Sequence, residues 1–412
     1  MSPALILLVL AQSPDAGVAQ RMTLVFGGDI IPHDPIKYVA KLRERTGEDG
    51  NNFGWDHVLG PLSPVLQRSD FAIVNLETPI VTIRQPETGV MTFNAQPPLL
   101  LALKRAGVDV ATFANNHCLD QHREGIVATR EYLRATGLMT AGADLNEESA
   151  WTPLVLEKNG LRVGVLAVSR WLNGYNNKPW PDRAHVPTVP YKKEPIVGGH
   201  TVDDFLATIR ARAAEVDALI VFIHWGEEYH HQPQPEDRVL ARQMLDAGAF
   251  AVVGHHPHVL QPVEFIEPSQ GGKRLVAFSL GNLVSNQDFD RIDGDKKDGL
   301  LLELEVVRDA DGVVRLQSAH GVPVVTENTL GGGKKRNIQA RLLDDELSAM
   351  EERLVELSSR TDKDATAERK ELLARRKLAL DRRARITGFL PESLMLEASS
   401  KDGSAPSAPG AP

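Results

Sequence analysis

Seven side chains that can bind metal ions or transfer protons stand at the ends of five short apolar runs in this sequence. They are Asp29, Glu77, Asn116, His117, His224, His256 and His258. Short apolar runs bounded by turn residues are typical of buried β-strands. Ligands of open α/β sheets bind outside the carboxyl ends of the strands. The shared position of these residues therefore predicts one site assembled at one edge of a sheet.

Carboxylates, imidazoles and an amide oxygen are the ligands of a two-metal hydrolase, in which two divalent ions about 3.5–4 Å apart share a water or hydroxide. A histidine that binds no metal can then donate a proton to the leaving group. His256 and His258 are two residues apart, so in an extended segment both imidazoles would point to the same side. The sequence thus contains the side chains that metal-dependent hydrolysis needs.

Several of these residues also have a purely structural interpretation. Asp29 follows two glycines and could be a helix N-cap. Asn115 and Asn116 could be turn residues, and His224 could be a histidine of the core. We expect His255 to support the ligands rather than to bind metal, because metal-bound histidines need a partner that fixes their tautomer.

Other polar residues near the predicted site have competing interpretations. Cys118 follows His117 and could be a thiol nucleophile, although a small residue packed beside a strand end is the favoured interpretation. His230 and His231 are interpreted as a solvated surface pair.

Composition and charge exclude several classes of protein. The 412 residues include one cysteine, which excludes an intramolecular disulfide and a thiolate-rich zinc site. The formal charge of -9 has the wrong sign for a protein that binds the phosphate backbone, so we predict no nucleic-acid partner. The sequence has no phosphate-binding loop of the Gly-x-x-x-x-Gly-Lys-Ser/Thr type, which disfavours a polymer-forming ligase that binds ATP.

Strand-like runs alternate with helical patterns, which predicts a mostly parallel sheet with crossover helices. Asn159–Gly160 and Asp311–Gly312 lie between strand-like runs and predict two added hairpins. The segment from Trp171 to Pro195 is a predicted long loop of the kind that is often functional. The predicted helices cover Pro98–Ala106, Arg123–Thr136, Val202–Ala214 and Glu236–Ala247.

The chain is predicted to contain four regions. Residues 1–21 are predicted to be a secretory signal and linker, because the apolar stretch from Ala4 to Leu10 matches the apolar region of a signal peptide and Ala11 lies near a plausible cleavage point. The stretch is too short to span a membrane, and a positively charged start is missing. Residues 22–330 form the main domain, and residues 397–412 are a disordered tail. Residues 331–396 are a charged helical extension, with one or two amphipathic helices over 338–386 that pack on the domain or contact another copy.

The sequence resembles the bacterial capsule-synthesis family that is associated with poly-γ-glutamate, often called CapA-type proteins. The matching segments appear in the family's order over roughly residues 24–290. They contain Gly28 and Asp29; Asn75, Leu76 and Glu77; Ala114 to His117 with Asp120 and Gly125; His224 to Gly226 with Glu228 and Tyr229; Gly254 to His258 with Gln261 and Pro262; and Ser279 to Asn282. The resemblance implies an α/β fold, a metallophosphatase-like four-layer α/β/β/α sandwich with added hairpins and C-terminal helices.

The resemblance also implies the metal ligands. Asp29 and His258 would bind a first metal ion, and Glu77 would bridge it to a second. The second ion would also be bound by Asn116, His224 and His256. The metallophosphoesterase pattern has a histidine two residues after its first aspartate, where this sequence has Ile31, so the first ion would be weakly held or absent unless His33 compensates.

His117 would be the acid–base residue. Glu228, Tyr229 and Asn282 would contact the substrate or support the ligands, with simple packing as the alternative. Mixed imidazole, amide and carboxylate ligands suit one or two divalent ions of manganese, iron, zinc or cobalt.

Two functions are predicted. The first is a metal-dependent hydrolase that cleaves phosphoester or amide bonds of poly-γ-glutamate or a related cell-envelope polymer, with a role in capsule biosynthesis. The alternative is a non-catalytic accessory component of a capsule-assembly complex. The expected partners are an anionic polymer or small-molecule substrate, capsule-assembly proteins, and another copy of the chain through the C-terminal helices. We predict export to the periplasm or the exterior and no transmembrane span.

Overall fold

The computed structural model describes residues 20–46, 54–82, 91–191, 199–287, 294–329 and 337–395. Within them, the strands form two sheets, one of eight strands and one of six. The first sheet contains β1 (Gln20–Ile30), β2 (Phe71–Leu76), β3 (Val110–Phe113), β4 (Met139–Gly142), β11 (Asn282–Val284), β12 (Asp298–Arg308), β13 (Val314–Thr329) and β14 (Asn337–Leu342). The second contains β5 (Leu154–Lys158), β6 (Leu161–Ser169), β7 (Ala218–His224), β8 (Ala251–His255), β9 (Leu260–Ile266) and β10 (Arg274–Leu280).

Both sheets have a parallel centre with antiparallel strands added. The first follows the order β14-β13-β12-β1-β2-β3-β4, with β11 beside β1, and the second follows β5-β6-β7-β8-β10-β9. Strands β1 to β4 are mutually parallel, as are β6, β7, β8 and β10. The two predicted hairpins are confirmed as the antiparallel pairs β5–β6 and β12–β13.

Ten α-helices pack on the two sheets in the described part of the chain. They are α1 (Asp34–Thr46), α2 (Trp55–Leu59), α3 (Ser63–Leu66), α4 (Pro98–Ala106), α5 (His122–Thr136), α6 (Glu147–Ala150), α7 (Val202–Ala213), α8 (Pro235–Asp246), α9 (Leu343–Ser358) and α10 (Lys363–Thr387). One apolar cluster joins α1, α2 and α4 to the first sheet, and another joins α7 and α8 to the second. The largest cluster lies between the sheets. The predicted four-layer α/β/β/α sandwich is therefore confirmed.

The C-terminal extension begins with a strand, which corrects the prediction of helix from residue 338. Strand β14 pairs antiparallel with β13. Its buried residues alternate at Ile338, Ala340 and Leu342, the period of a strand with one face on the core. The predicted helices then follow as α9 and α10, and α9 buries Leu343 and Met350 in the core between the sheets. Their packing on the main body is confirmed, whereas the domain boundary at residue 330 and contact with another copy stay predictions.

Two terminal predictions lie outside the described residues. These are the signal peptide and most of the linker in 1–21, and the disordered tail of 397–412. No helix in the described part of the chain has the length and apolar character needed to cross a membrane.

The five apolar runs are confirmed as strands, and their carboxyl ends meet at one end of the sandwich. Strands β1, β2 and β3 belong to the first sheet, whereas β7 and β8 belong to the second. The prediction of a site at the edge of one sheet is wrong in this respect, because the two sheets face each other across the site. The side chains that follow the strands converge from both layers.

Gly28 allows β1 and β11 to approach closely just before Asp29. A Cβ atom at Gly28 would lie 2.0 Å from the carbonyl oxygen of Gly281. We expect Gly28→Ala to lower the free energy of unfolding by about 3 kcal/mol, because the backbone at Gly281, just before β11, must move. Chemical denaturation in the presence of a chelator measures this loss.

Gly60 offers a matched control for Gly28→Ala. It has a φ of -53°, and a Cβ there would meet nothing within 4 Å. Gly60→Ala should leave stability unchanged or raise it by about 0.4–1 kcal/mol. Equal denaturation midpoints for Gly28→Ala and the wild type would contradict the close-approach argument.

Candidate metal centre

The six predicted metal ligands and His117 come together in a buried site where the two sheets meet. Asp29 lies inside β1, Glu77 directly follows β2, and His224 ends β7. Three groups of side chains each have ligand atoms within 4.8 Å of one another. The groups are Asp29, Glu77 and His258; Glu77, His224 and His256; and Glu228, His256 and His258. Any of these sets could hold a metal ion.

Asp29 is fully buried and held from several sides. Its Oδ1 accepts a hydrogen bond from Asn75 Nδ2 at 2.8 Å and lies 3.0 Å from His255 Nδ1. Its Oδ2 accepts from the backbone N–H of His256 at 3.2 Å and lies 3.3 Å from His258 Nδ1. Burial alone raises the pKa of this carboxyl, but the nearby imidazoles of His255 and His258 outweigh burial and hold the pKa well below its usual value. Asp29 is therefore an ionised carboxylate and a candidate metal ligand, and its place inside β1 excludes the helix-cap interpretation.

Glu77 belongs to two of the three groups of candidate ligands, and its carboxylate accepts no hydrogen bond. Both oxygens are buried without a partner, and the residue is 0% exposed. The nearest imidazole nitrogens are His224 Nε2 at 3.4 Å and His258 Nε2 at 3.6 Å from Oε1, neither with hydrogen-bond geometry. Burial, followed by the negative charge of Asp29 and other acidic residues, raises the pKa of Glu77 well above its usual value. A buried carboxylate without partners is unfavourable unless a cation compensates its charge.

The second group adds an amide oxygen to the imidazoles. His224 Nε2 lies 2.9 Å from Asn116 Oδ1, and the ring centroids of His224 and His256 are 4.7 Å apart. Burial, followed by the positive charge of neighbouring imidazoles, lowers the pKa of His224 and brings that of His256 to about 3. These histidines are therefore neutral at physiological pH, the form that binds a metal. The donor set and the unpartnered oxygens of Glu77 together fit divalent metal ions.

His256 and His258 do not lie in an extended segment, which corrects the prediction from their spacing. His256 has a φ of 98° and His258 a φ of 57°, backbone conformations that residues other than glycine rarely adopt. The segment is a turn after β8, yet the two ring centroids lie 5.8 Å apart. Strained backbone of this kind concentrates at functional sites.

His117 lies beside the metal-binding groups and is held in one orientation. Its Nδ1 lies 2.7 Å from Asp120 Oδ2, which also accepts the backbone N–H of Phe93 at 2.6 Å. The ring of Phe93 packs on the imidazole with a centroid distance of 4.1 Å. These contacts leave Nε2 as the ring atom that can exchange a proton.

A cleft of about 600 Å³ opens over the site. Its lining includes Asn116, His117 and His258 from the centre, together with Glu228 and Tyr229. The cleft thus gives a substrate access to the group of candidate ligands. Asn282 does not line it, because this residue is fully buried and its Oδ1 lies 3.2 Å from His258 Nδ1. Of the two predicted roles of Asn282, its position therefore favours holding His258 in place rather than contacting the substrate.

The neighbours of the site resolve several alternatives. Cys118 is fully buried, and burial raises the pKa of its thiol, so the thiol-nucleophile interpretation is wrong. His255 contacts Asp29 and belongs to none of the three groups, as expected of a supporting residue. His33 also belongs to none of them, and its Nδ1 accepts the backbone N–H of Asn286 at 3.2 Å. His231 is not simply solvated, since its Nε2 lies 2.9 Å from Asp295 Oδ2.

The structure adds residues that the sequence analysis did not single out. Asn75 holds Asp29 and in turn accepts from Asn115 Nδ2 at 3.2 Å. Asn173 accepts from Asn116 Nδ2 at 3.2 Å and lies in the long loop that was predicted to be functional. Asn75 belongs to a family segment, but no sequence pattern marks Asn173. Only the folded arrangement brings that loop to the site.

The fold and the site define an α/β/β/α sandwich with candidate metal ligands at the meeting edge of its sheets. The family model of the bacterial capsule synthesis protein PGA_cap matches residues 23–287. The chain therefore belongs to this family.

Known relatives carry names from capsule and polymer synthesis. The capsule biosynthesis protein CapA of Bacillus anthracis is 29% identical over 280 residues, which cover 66% of this chain and 62% of that protein. The PGA biosynthesis protein CapA of Bacillus subtilis (strain 168) is 27% identical, covering 70% of this chain and 68% of that protein. A probable polyglutamine synthesis accessory protein of Mycobacterium tuberculosis is 27% identical, covering 68% of this chain and 78% of that protein. The match thus spans less than two thirds of the Bacillus anthracis protein.

Among solved structures, the NAD nucleotidase of Haemophilus influenzae is similar with a TM-score of 0.42 and 11% identity, over 89% of this chain and 68% of that chain. A likeness at this level supports no conclusion about activity.

Proposed function

We propose that the chain is a metal-dependent hydrolase that would hold two divalent ions, with Glu77 as the ligand that both ions would share. The observation that carries the proposal is the fully buried carboxylate of Glu77. Neither of its oxygens has a hydrogen-bond partner, and Glu77 belongs to two of the three groups of candidate metal ligands. Asp29 and His258 would hold one ion, and Asn116, His224 and His256 the other. When bound, the ions would supply an activated water and would stabilise negative charge on the reacting group.

The other side chains of the site would position the substrate and move a proton. His117 donates a proton to the leaving group from Nε2, and Asp120 keeps Nδ1 protonated and the ring in place. Tyr229 and Glu228 line the cleft beside the ligands and contact the bound substrate. Asn282 keeps His258 in its orientation through the 3.2 Å contact.

Poly-γ-glutamate or a related cell-envelope polymer is the proposed substrate, in a role in capsule biosynthesis. The family and the names of the relatives support it. An anionic polymer can approach an acidic protein when bound cations dominate the local field. Such a polymer lies outside the cytoplasm, which agrees with the proposal of an exported protein and of capsule-assembly partners.

Turnover should depend on divalent metal. We expect the chelated protein to leave poly-γ-glutamate intact and the protein resupplied with manganese, iron, zinc or cobalt to shorten it, as measured by chromatography of the polymer. A parallel assay with a phosphomonoester or phosphodiester separates amide from phosphoester chemistry. No cleavage of any of these substrates by the metal-loaded protein would contradict the hydrolase proposal.

A second candidate function is an accessory protein that binds polymer without cleaving it. One specific observation favours it: Ile31 lines the cleft at the position where the metallophosphoesterase pattern has a histidine. The Mycobacterium tuberculosis relative is also named an accessory protein. This function predicts polymer binding with equal affinity in the chelated and metal-loaded protein and no change in polymer length.

A further inference from the structure

A short turn, Asp295–Lys297, lies against the wall of the cleft. The Lys296 ammonium nitrogen is 4.0 Å from the centroid of the Tyr229 ring, and Tyr229 lines the cleft. The carbonyl oxygen of Lys296 accepts a hydrogen bond from Asn282 Nδ2 at 2.8 Å. Because Asn282 also contacts His258, the turn is joined to both the cleft wall and the candidate metal ligands.

The turn brings a positive charge to an otherwise acidic cleft. Among its described lining residues, the charged side chains are Asp120 and Glu228, and none is lysine or arginine. Lys296 packs on the outer part of this lining through Tyr229, which is 41% exposed. An ammonium group on an aromatic face is held in position without losing its charge. An anionic group of a substrate beside Tyr229 would therefore meet Lys296.

The C-terminal helix holds this turn from one side. Asp298, which follows the turn, is buried, and its two carboxylate oxygens pair with Arg382 and Arg385 of α10. The Nε atoms of the two arginines each lie 2.8 Å from Asp298. A buried carboxylate clamped by two guanidinium groups fixes both backbone segments relative to each other.

A second contact holds the turn from the other side. Asp295 pairs with His231 at 2.9 Å, and the His231 ring stacks on Phe389 with a centroid distance of 5.2 Å. Phe389 lies two residues after the end of α10, and its carbonyl oxygen accepts a hydrogen bond from the backbone N–H of Val263. Arg382, Arg385 and Phe389, which hold the turn, lie beyond residue 287, where the match to the family model ends. The C-terminal extension thus supports the turn that packs on Tyr229 of the cleft wall.

We propose that Lys296, held by the C-terminal helix through Asp298, forms a subsite that binds a carboxylate of the substrate. The inference rests on the proposed function, since it names the part of the substrate that the same cleft recognises. Lys296 contacts the substrate, whereas Arg382 and Arg385 are positioning residues. The subsite would place a repeating anionic side chain of the polymer beside Tyr229, with the scissile bond at the metal centre.

Binding of charged and uncharged polymer tests the subsite. Metal-loaded protein that carries His117→Gln keeps the polymer intact, and calorimetry compares poly-γ-glutamate with its methyl ester. In this background, Lys296→Met should weaken binding of the charged polymer about fivefold and leave the ester unaffected, in line with one partly exposed charge pair. Arg385→Gln should cause a smaller loss in the same direction. Lys377→Met is the control, because Lys377 is an exposed lysine of the same helix that pairs with Asp381.

Two results would overturn the subsite. One is equal affinity of Lys296→Met and its parent for the charged polymer. The other is an equal loss for polymer and ester, which would indicate a general disturbance of the cleft. Failure of the hydrolase proposal is distinguishable, because wild-type protein would then show no metal-dependent cleavage while the charge-selective loss of binding persisted.

Discussion

Glu77→Gln is expected to reduce the bound divalent metal from two ions per chain to one or none. The amide keeps the shape of the side chain but removes the charge and one of the two oxygens that would bridge the ions. Turnover should fall by about 100-fold or more, beyond the 10–100-fold loss that is typical of residues that only support metal ligands. Elemental analysis and a hydrolysis assay on the same preparation measure both effects.

The same substitution should stabilise the metal-free protein. Burial raises the pKa of Glu77 well above its usual 4.5, so the folded protein holds this proton at pH values where the unfolded chain releases it. A group with a raised pKa in the folded state contributes stability at low pH that is lost as the pH rises through that pKa. The stability advantage of Glu77→Gln over the wild type should therefore grow as the pH rises above about 4.5.

Denaturation of both proteins with a chelator at several pH values measures this advantage. Glu215→Gln is the matched control, because Glu215 is exposed and pairs with Arg212 at the surface. Two bound ions in Glu77→Gln, or equal stability of the metal-free proteins at every pH, would contradict the assignment of Glu77 as the bridge.

His117→Gln is expected to lower turnover by about 10²–10⁴-fold while both metal ions stay bound. This range is typical of a lost general acid or base, and His117 belongs to none of the metal-binding groups. The loss should shrink for substrates whose leaving group departs without protonation. Asp120→Asn should cause a smaller loss, since the imidazole stays but is less firmly oriented.

Kinetics with two substrates that differ in leaving-group pKa measure the effect of His117→Gln. The exposed His230 offers the control substitution His230→Gln. Loss of metal from the His117→Gln protein would show that His117 is a metal ligand rather than a proton donor. Unchanged turnover at full metal content would remove His117 from the reaction.

Local patterns predicted many of the elements. Helix α4 has the predicted bounds, α5 and α7 each differ from prediction by one residue at one end, and α8 differs by one residue at both ends. These helices are amphipathic and flanked by glycine, proline or a cap, so their sequence alone specifies where they begin and end. The positions of Asp29, Glu77 and His224 at or near the carboxyl ends of strands were predictable for the same reason, since buried apolar runs end where polar residues begin.

Local patterns do not predict which strands pair with each other in the two sheets. Nothing in the runs before Asn116 and His224 indicates that β3 and β7 belong to different sheets, because a buried strand has the same composition in either. Strand β14 is predicted as helix because its six residues, although they alternate between polar and apolar, run directly into the helical pattern of α9. Its identity comes from pairing with β13.

The details of the site depend on conformations that only the fold imposes. The turn at His256 and His258 has positive φ values, which residues other than glycine rarely adopt and which no local pattern marks at these two positions. The contact between Asn116 and Asn173 joins residues 57 positions apart. Asp298, which follows the turn that carries Lys296, pairs with Arg382 of α10 across 84 positions.

Anomalous diffraction tests the central claim most directly. Crystals prepared with manganese or zinc, measured near the absorption edge of the metal, should give two anomalous peaks about 3.5–4 Å apart, one on each side of the Glu77 carboxylate. One peak should contact Asp29 and His258, and the other Asn116, His224 and His256. An absence of peaks in this group of side chains, or metal bound elsewhere with Glu77 still without a partner, would contradict the account.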